Sequence, residues 1–301
     1  MTAATGPGAA PDRQGLALAV LGAVCFAGKA IIVKLAYRHE VDAVTLIMLR
    51  MAVALPCFVL LALCAGRGRA PLSGRDWLAV LGLGFIGYYL SSFLDFIGLQ
   101  YITASLERLI LYLSPTMVLI LGRVLHGRRV GRGKLAALGL SYLGVLLVFG
   151  HELSLEGRDV LLGSGLVFAS TITYAVYLVY SGQVVSRIGA ARLTGLATAF
   201  ACVLCIAQFL VLRPVSLLGG LHPQVLWLSL LNGTVCTFAP VLMLMVALQR
   251  IGPGLTSQVG MVGPVSTVAM GVLILGEPFT VWTAAGSVLV IAGVAALSRT
   301  R

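Results

Sequence analysis

The chain has 301 residues, of which 59% are apolar and only 10% charged, and its formal net charge is +11. Soluble domains carry about 25% charged residues, so this chain cannot cover itself in water and lipid must solvate most of it. The basic residues are scattered through alternate loops and never gathered into one patch, which excludes a nucleic-acid surface.

Residues 1–14 are mostly Gly, Ala, Pro and Thr, and read as a short disordered tail. Ten apolar runs follow, near 15–37, 42–64, 77–99, 103–125, 133–150, 160–182, 192–213, 225–249, 254–275 and 281–298. Each is about the 17–25 residues that an α-helix needs to cross a bilayer. The runs are continuous and do not alternate, which excludes a membrane β-barrel. The first run is too long for the core of a signal peptide and holds Lys29 and Lys34, so it is expected to stay as helix one. The expected fold is therefore an all-α integral membrane protein of ten transmembrane helices.

Orientation follows from the basic residues. With the N-terminus in the cytoplasm, the inner segments hold Arg67, Arg69, Arg75, Arg128, Arg129, Arg132, Lys134, Arg187, Arg192 and Arg250, besides Arg13, Arg299 and Arg301 at the chain ends. The outer segments hold only Arg38, Arg108, Arg158 and Arg213. This is the positive-inside bias, and it predicts both termini in the cytoplasm and residues 150–159 outside. Trp77, Trp227 and Trp282 all fall at the starts of predicted helices, where an amphipathic ring prefers the headgroup level. The six cysteines, Cys25, Cys57, Cys64, Cys202, Cys205 and Cys236, lie inside predicted spans, so no structural disulfide is expected.

Sliding the chain against itself by 149 residues exposes an internal repeat without gaps. Gln100 falls on Gln249, Pro115 on Pro264, Gly122 on Gly271, Gly127 on Gly276 and Gly144 on Gly293. The expected units are a first repeat over 15–150 and a second over 160–298, each of five spans. Five is odd, so the second copy must enter the membrane upside down. Such inverted repeats place a substrate site near the midplane between the halves.

Several motifs then point to a family. They are Gly28-Lys29-Ala30-Ile31-Ile32-Val33-Lys34-Leu35-Ala36, Leu49-Arg50, Leu99-Gln100-Tyr101, the mid-span Pro115 and Pro264, and Leu275-Gly276-Glu277-Pro278. In this order, and repeated, they make the chain resemble the drug/metabolite transporter superfamily, in particular its EamA-type ten-helix members, over about residues 15–298. One position departs from the pattern: the first repeat has Gly127-Arg128-Arg129 where the family carries Gly-Glu. The resemblance implies transport of amino acids or other small metabolites, usually export.

Ionisable residues within a span cost about 2.5–3.5 kcal/mol on insertion scales and default to functional hypotheses. Here Lys29, Arg50, Asp95, Glu107 and Arg108 all lie in the first repeat, and a rise of about 1.5 Å per residue puts them in one outer slab. A buried network pairing Lys or Arg with Asp or Glu is expected, and it can serve as a static lock or as a gate and substrate clamp. Tyr88, Ser92 and Asp95, with Ser91 adjacent, share one helical face; Tyr174 and Tyr177, with Ser170 and Thr173, share another. In helix nine, Thr256, Ser257 and Gln258 fall on Glu107, Arg108 and Leu109 at the repeat offset. These polar stripes suit interhelical hydrogen bonds and a substrate cavity equally well. Pro115 and Pro264 are the expected helix breaks, facing a cavity.

No catalytic constellation, metal-ligand spacing or phosphate-binding loop is present in the sequence. The expectation is a secondary transporter, not an enzyme, with no cofactor and no bound metal. It would sit in the cytoplasmic (inner) membrane as a monomer or homodimer and move a small molecule by alternating access, with protons as candidate co-substrate. The rival reading, suggested by related folds, is a flippase of a lipid-linked small molecule.

Overall fold

The structure is a computed structural model that describes residues 12–126 and 131–299, and among these all regular structure is helical. Ten helical segments follow one another. They are α1 Arg13–Tyr37, α2 Ala43–Gly66, α3 Gly74–Gly98, α4 Ala104–Val124 and α5 Arg132–Glu156. After them come α6 Arg158–Ile188, α7 Ala190–Leu212, α8 Pro223–Gly252, α9 Gln258–Leu275 and α10 Val281–Arg299. Among the described residues, nine helices are long and apolar enough to cross a membrane, and the apolar stretch Val281–Ala296 of α10 is a shorter tenth.

The helices start where the sequence offers caps. Asp42 accepts from the backbone N–H groups of Val44 and Thr45, and Ser73 with Asp76 forms a capping box on α3. Thr103 caps α4, and Pro223 opens α8 behind the His222 cap. Short connections make neighbouring helices antiparallel. The side where α1 begins is the tail side below, and the opposite end is the far side.

Packing follows the repeat. Helix α1 lies on α8 and α9, while its counterpart α6 lies on α3 and α4. Helices α2 and α7 pack on each other, as do α5 and α10. Exchanging the two halves maps each contact onto another of the set, so the two five-helix repeats are related by an approximate two-fold. Small residues permit the close pairings. A Cβ on Gly144 of α5 would stand 2.6 Å from the carbonyl oxygen of Gly286 on α10, and one on Gly195 of α7 would stand 2.8 Å from the Ala62 nitrogen on α2.

Three differences from the sequence expectation concern helix ends and breaks. Helices α5 and α6 run through residues 150–160 and meet at a single joint, Gly157, with a φ of 70°. His151-Glu-Leu-Ser-Leu-Glu is polar but forms helix readily, so lipid thickness did not end α5. Helix α6 likewise continues past residue 182 to Gly189, whose φ is 87°.

The prolines are the third difference. The break in α4 lies at Tyr112–Leu113, between helical pieces Ala104–Leu111 and Ser114–His126. The break in α9 lies at Met261, and the non-helical Gly252 ends α8 before it. Pro115 and Pro264 sit in the first turn after each break, where a missing N–H leaves no intrahelical bond unmade. They do not share a cavity-facing position either, because Pro115 is exposed and Pro264 buried.

One symmetric feature has no counterpart in the apolar pattern. Helix α3 swells into a π-turn over Phe85–Leu90, and α8 does the same over Thr234–Phe238. The first residues of the two turns are separated by the repeat offset. Each turn follows a glycine pressed onto a neighbouring helix. A Cβ on Gly84 would stand 2.5 Å from the Ala197 oxygen, and one on Gly233 would stand 2.8 Å from the Arg50 oxygen. Such turns widen a helix locally and recur at functional sites.

Candidate functional site

The charged residues gather where α1, α2, α3, α4 and α8 meet, in the far-side third of the bundle. Lys29 of α1 donates to Asp95 Oδ2 of α3 at 2.5 Å and pairs with Glu107 Oε1 of α4 at 3.1 Å. All three are buried, Glu107 completely. One ammonium therefore ties three helices together and holds both carboxylates.

The expected network forms through Lys29, but the arginines make no ion pair with it, although Arg50 interacts electrostatically with Asp95 and Arg108 with Glu107. Arg50 has no carboxylate partner among the described residues. Its Nε donates to Thr237 Oγ1 in the π-turn of α8 at 3.0 Å, and its guanidinium lies 5.1 Å from the centre of the Phe96 ring. Arg108 likewise lacks an ion pair, and lies over Phe26 at 5.4 Å and Tyr112 at 5.8 Å. The physical reason is reach: an ammonium can meet carboxylates arriving from two helices at once, whereas a planar fork needs one in its own plane. Aromatic faces take the place of counter-ions.

A cleft of about 740 Å³ opens above these residues on the far side. Lys34, Tyr37, Gln100, Thr103 and Glu277 are among its lining residues. Tyr37 donates to the Phe96 carbonyl at 2.7 Å, which joins the cleft wall to the ring beneath Arg50. Glu277, from the loop between α9 and α10, accepts from the backbone N–H of Ala104 at 2.7 Å and from Ser105 Oγ at 2.7 Å. It is an acidic cap supplied by the second repeat to the start of a helix in the first. Thr103 donates to Glu152 Oε1 at 2.6 Å and binds α5 to the same corner.

The polar stripes of α3 and α6 do meet, although not with the residues expected. Tyr88 and Tyr177 share a hydrogen bond at 3.0 Å, and Tyr174 stacks on Tyr177 at 5.7 Å between ring centres. Ser91, and not Ser92, faces Ser170, their hydroxyls being 3.0 Å apart. Ser92 makes no hydrogen bond among the described residues. The π-turn accounts for this, because one extra residue per turn rotates the face that the α-helical spacing assigned. This cluster is separate from the triad. Thr256 bonds to the Gly252 carbonyl at its own helix kink and Gln258 is exposed, so neither joins the charged group. The side chain of Ser257 lies outside the described residues, as do Arg128 and Arg129.

Thr237, Phe96, Phe26 and Tyr112 were not singled out from the sequence, yet a signal existed for all but Phe96. The repeat offset places Thr237 on Tyr88. Phe26 stands three residues before Lys29, and Tyr112 four after Arg108, so each shares a helical face with the charge beside it.

A multi-pass bundle of two inverted five-helix repeats, with charge buried among its helices beneath a cleft, has the build of a membrane transporter. The chain belongs to the EamA-like transporter family, which matches it twice, at residues 13–150 and 161–299. The "Uncharacterized transporter YcbK" of Bacillus subtilis is 29% identical over 273 residues, covering 86% of this chain and 84% of that protein. An "Uncharacterized transporter" of Archaeoglobus fulgidus is 26% identical over 253 residues, covering 84% of this chain and 87% of its own. A solved crystal structure shares the fold with a TM-score of 0.64 at 17% identity, over 94% of this chain and 95% of that one. Family and relatives alike point to a transporter and not to an enzyme, and imply a small-molecule substrate in a lipid setting.

Proposed function

We propose that this protein is a secondary transporter that moves small metabolites, amino acids among them, out across the cytoplasmic membrane by alternating access. In this reading the tail side and both termini face the cytoplasm, and the cleft at the far side opens outward. The observation that carries it is the Lys29–Asp95–Glu107 triad, buried where α1, α3 and α4 converge beneath the cleft. Helices that must part to pass a solute are joined there by charge, a contact that can be exchanged for water or substrate and remade. Asp95 and Glu107 are also the groups through which a proton would be coupled.

Reconstitution into liposomes with counterflow of a labelled amino-acid panel tests the reading. Concentrative exchange that Asp95→Asn abolishes, and that an imposed proton gradient accelerates, is the expected result. Movement of labelled lipid with no movement of water-soluble solutes would replace the transporter of free metabolites by a flippase.

A further inference from the structure

The buried charges of the first repeat do not balance. Lys29, Arg50 and Arg108 face only two carboxylates, Asp95 and Glu107, and both carboxylates are held by Lys29. The two guanidiniums are 8% and 5% exposed and have aromatic faces where counter-ions would be. A ring face attracts a cation but carries no net charge, so it offsets only part of the cost of burying one in a bilayer.

Unmade hydrogen bonds occur on carboxylates and guanidiniums alike. Asp95 Oδ1 and both oxygens of Glu107 are enclosed, as is Arg108 Nε. The Nη atoms of Arg50 are not among the enclosed polar atoms, and they have no acceptor among the described residues. Arg50 is also fixed in place: Thr237 holds its Nε, Phe96 lies beneath its plane, and Gly233 lets α8 press against its backbone. Phe96 in turn is tied to the wall of the cleft through Tyr37. The result is a pre-positioned guanidinium fork, buried and without an ion pair, whose geometry matches a carboxylate or phosphate.

Resting on the transporter reading above, we propose that Arg50 is the anchor for the substrate and that the cargo is a small organic anion bearing a carboxylate or phosphate. Arg108 is a second buried guanidinium without an ion pair among the described residues. Both buried carboxylates are engaged by Lys29, so a simple amine finds no buried partner there, and a zwitterion is taken less well than an anion of equal size.

The test uses purified full-length protein and five probes: acetate, succinate, glycerol 3-phosphate, leucine and cadaverine. Thermal melting in detergent reads binding, since a ligand of the folded state raises the melting temperature by mass action. The expected result is stabilisation by one or more of the three anions and none by cadaverine. Succinate and glycerol 3-phosphate separate the carboxylate source from the phosphate source. Arg50→Lys keeps the charge and loses the fork, and should weaken anion binding about tenfold, read as anion-induced shifts measured from that variant's own unliganded melting temperature. Stabilisation by leucine or cadaverine alone, no stabilisation by any anion, or unchanged anion binding in Arg50→Lys each overturns the proposal. If Arg50→Lys fails to fold, the wild-type ranking of the five probes decides alone. Vesicle uptake separates the two readings: anions that bind but never cross keep the site and refute the transporter, whereas uptake confined to leucine or cadaverine keeps the transporter and refutes the anion site.

Discussion

Helices α3 and α8 hold equivalent places in the two repeats and carry the same irregularity, a π-turn behind a close-packed glycine. Their side chains use it differently. In α8 the turn presents Thr237 to the Arg50 guanidinium, whereas in α3 it presents Tyr88 to the Tyr177 hydroxyl. The wider neighbourhoods differ in the same sense. Lys29, Arg50, Asp95, Glu107 and Arg108 of the first repeat have Leu178, Ala199, Leu244, Thr256 and Ser257 as their counterparts at the offset. Backbone path is thus duplicated while chemistry is not. Glycines and small residues set how closely helices approach, and any inverted pair must keep that shared. Charge in lipid is costly wherever it occurs, and the protein concentrates it in one half.

The strongest way to break this comparison is to remove the shared cation. Lys29→Met would leave Asp95 and Glu107 buried, near one another and unpaired. Breaking a buried pair costs about 3–5 kcal/mol, and here two carboxylates lose their partner in one step. The expected outcome is loss of folded protein or a large fall in melting temperature. The corresponding change in the second repeat, Leu178→Met, should be almost silent, because that position is already apolar. Wild-type stability in Lys29→Met would show that the triad does not hold α1, α3 and α4 together.

Much of this architecture was legible in the sequence, and the reasons are physical. Apolar runs report spans directly, because lipid tolerates no other surface. The offset of 149 reported the repeat through Gln100, Pro115 and Gly144, residues too specific to match by composition alone. The gathering of Lys29, Asp95 and Glu107 followed from the depth of each charge along its helix. What could not be read was who pairs with whom. That depends on rotation about each helix axis, and the π-turn in α3 alters the rotation that 3.6-residue spacing assumes, exchanging Ser92 for Ser91. The helix breaks were placed at Pro115 and Pro264 because proline forbids a donor. The chain in fact breaks just before them, where a proline costs nothing.

A second test sharpens the comparison at the helix starts. Glu277 caps the start of α4 across the repeat boundary, while the residue at the equivalent offset in the first repeat is Arg128. Glu277→Ala should therefore loosen one side only. Losing an acidic cap costs about 0.5–2 kcal/mol, so the expected fall in melting temperature is modest and much smaller than that of Lys29→Met. A cysteine placed at Gln100, exposed on the same cleft wall, should label faster from the far side in the Glu277→Ala background. An unchanged rate would show that Thr103 and its neighbours hold the start of α4 without the carboxylate.

The smallest expected effect contrasts a buried charge cluster with an exposed one. On the tail side Asp12, the cap of α1, pairs with Arg250 of α8 at 3.1 Å, and both side chains are well exposed. The Arg250 guanidinium beside it holds the Asp12 carboxyl below its ordinary value. A carboxyl depressed in the folded protein contributes stability above its unfolded pKa and loses it as pH falls through the lower, folded value. Any acid sensitivity from this pair therefore appears only at the acidic end of the carboxylate range and is absent near neutrality. Water and salt screen such a pair, so Asp12→Asn at neutral pH should shift the melting temperature barely beyond error, with whatever difference there is shrinking as salt is raised. A fall on the scale of Lys29→Met, insensitive to salt, would mean that the tail side also closes on a charge the bilayer protects, and the contrast between the two ends would be lost.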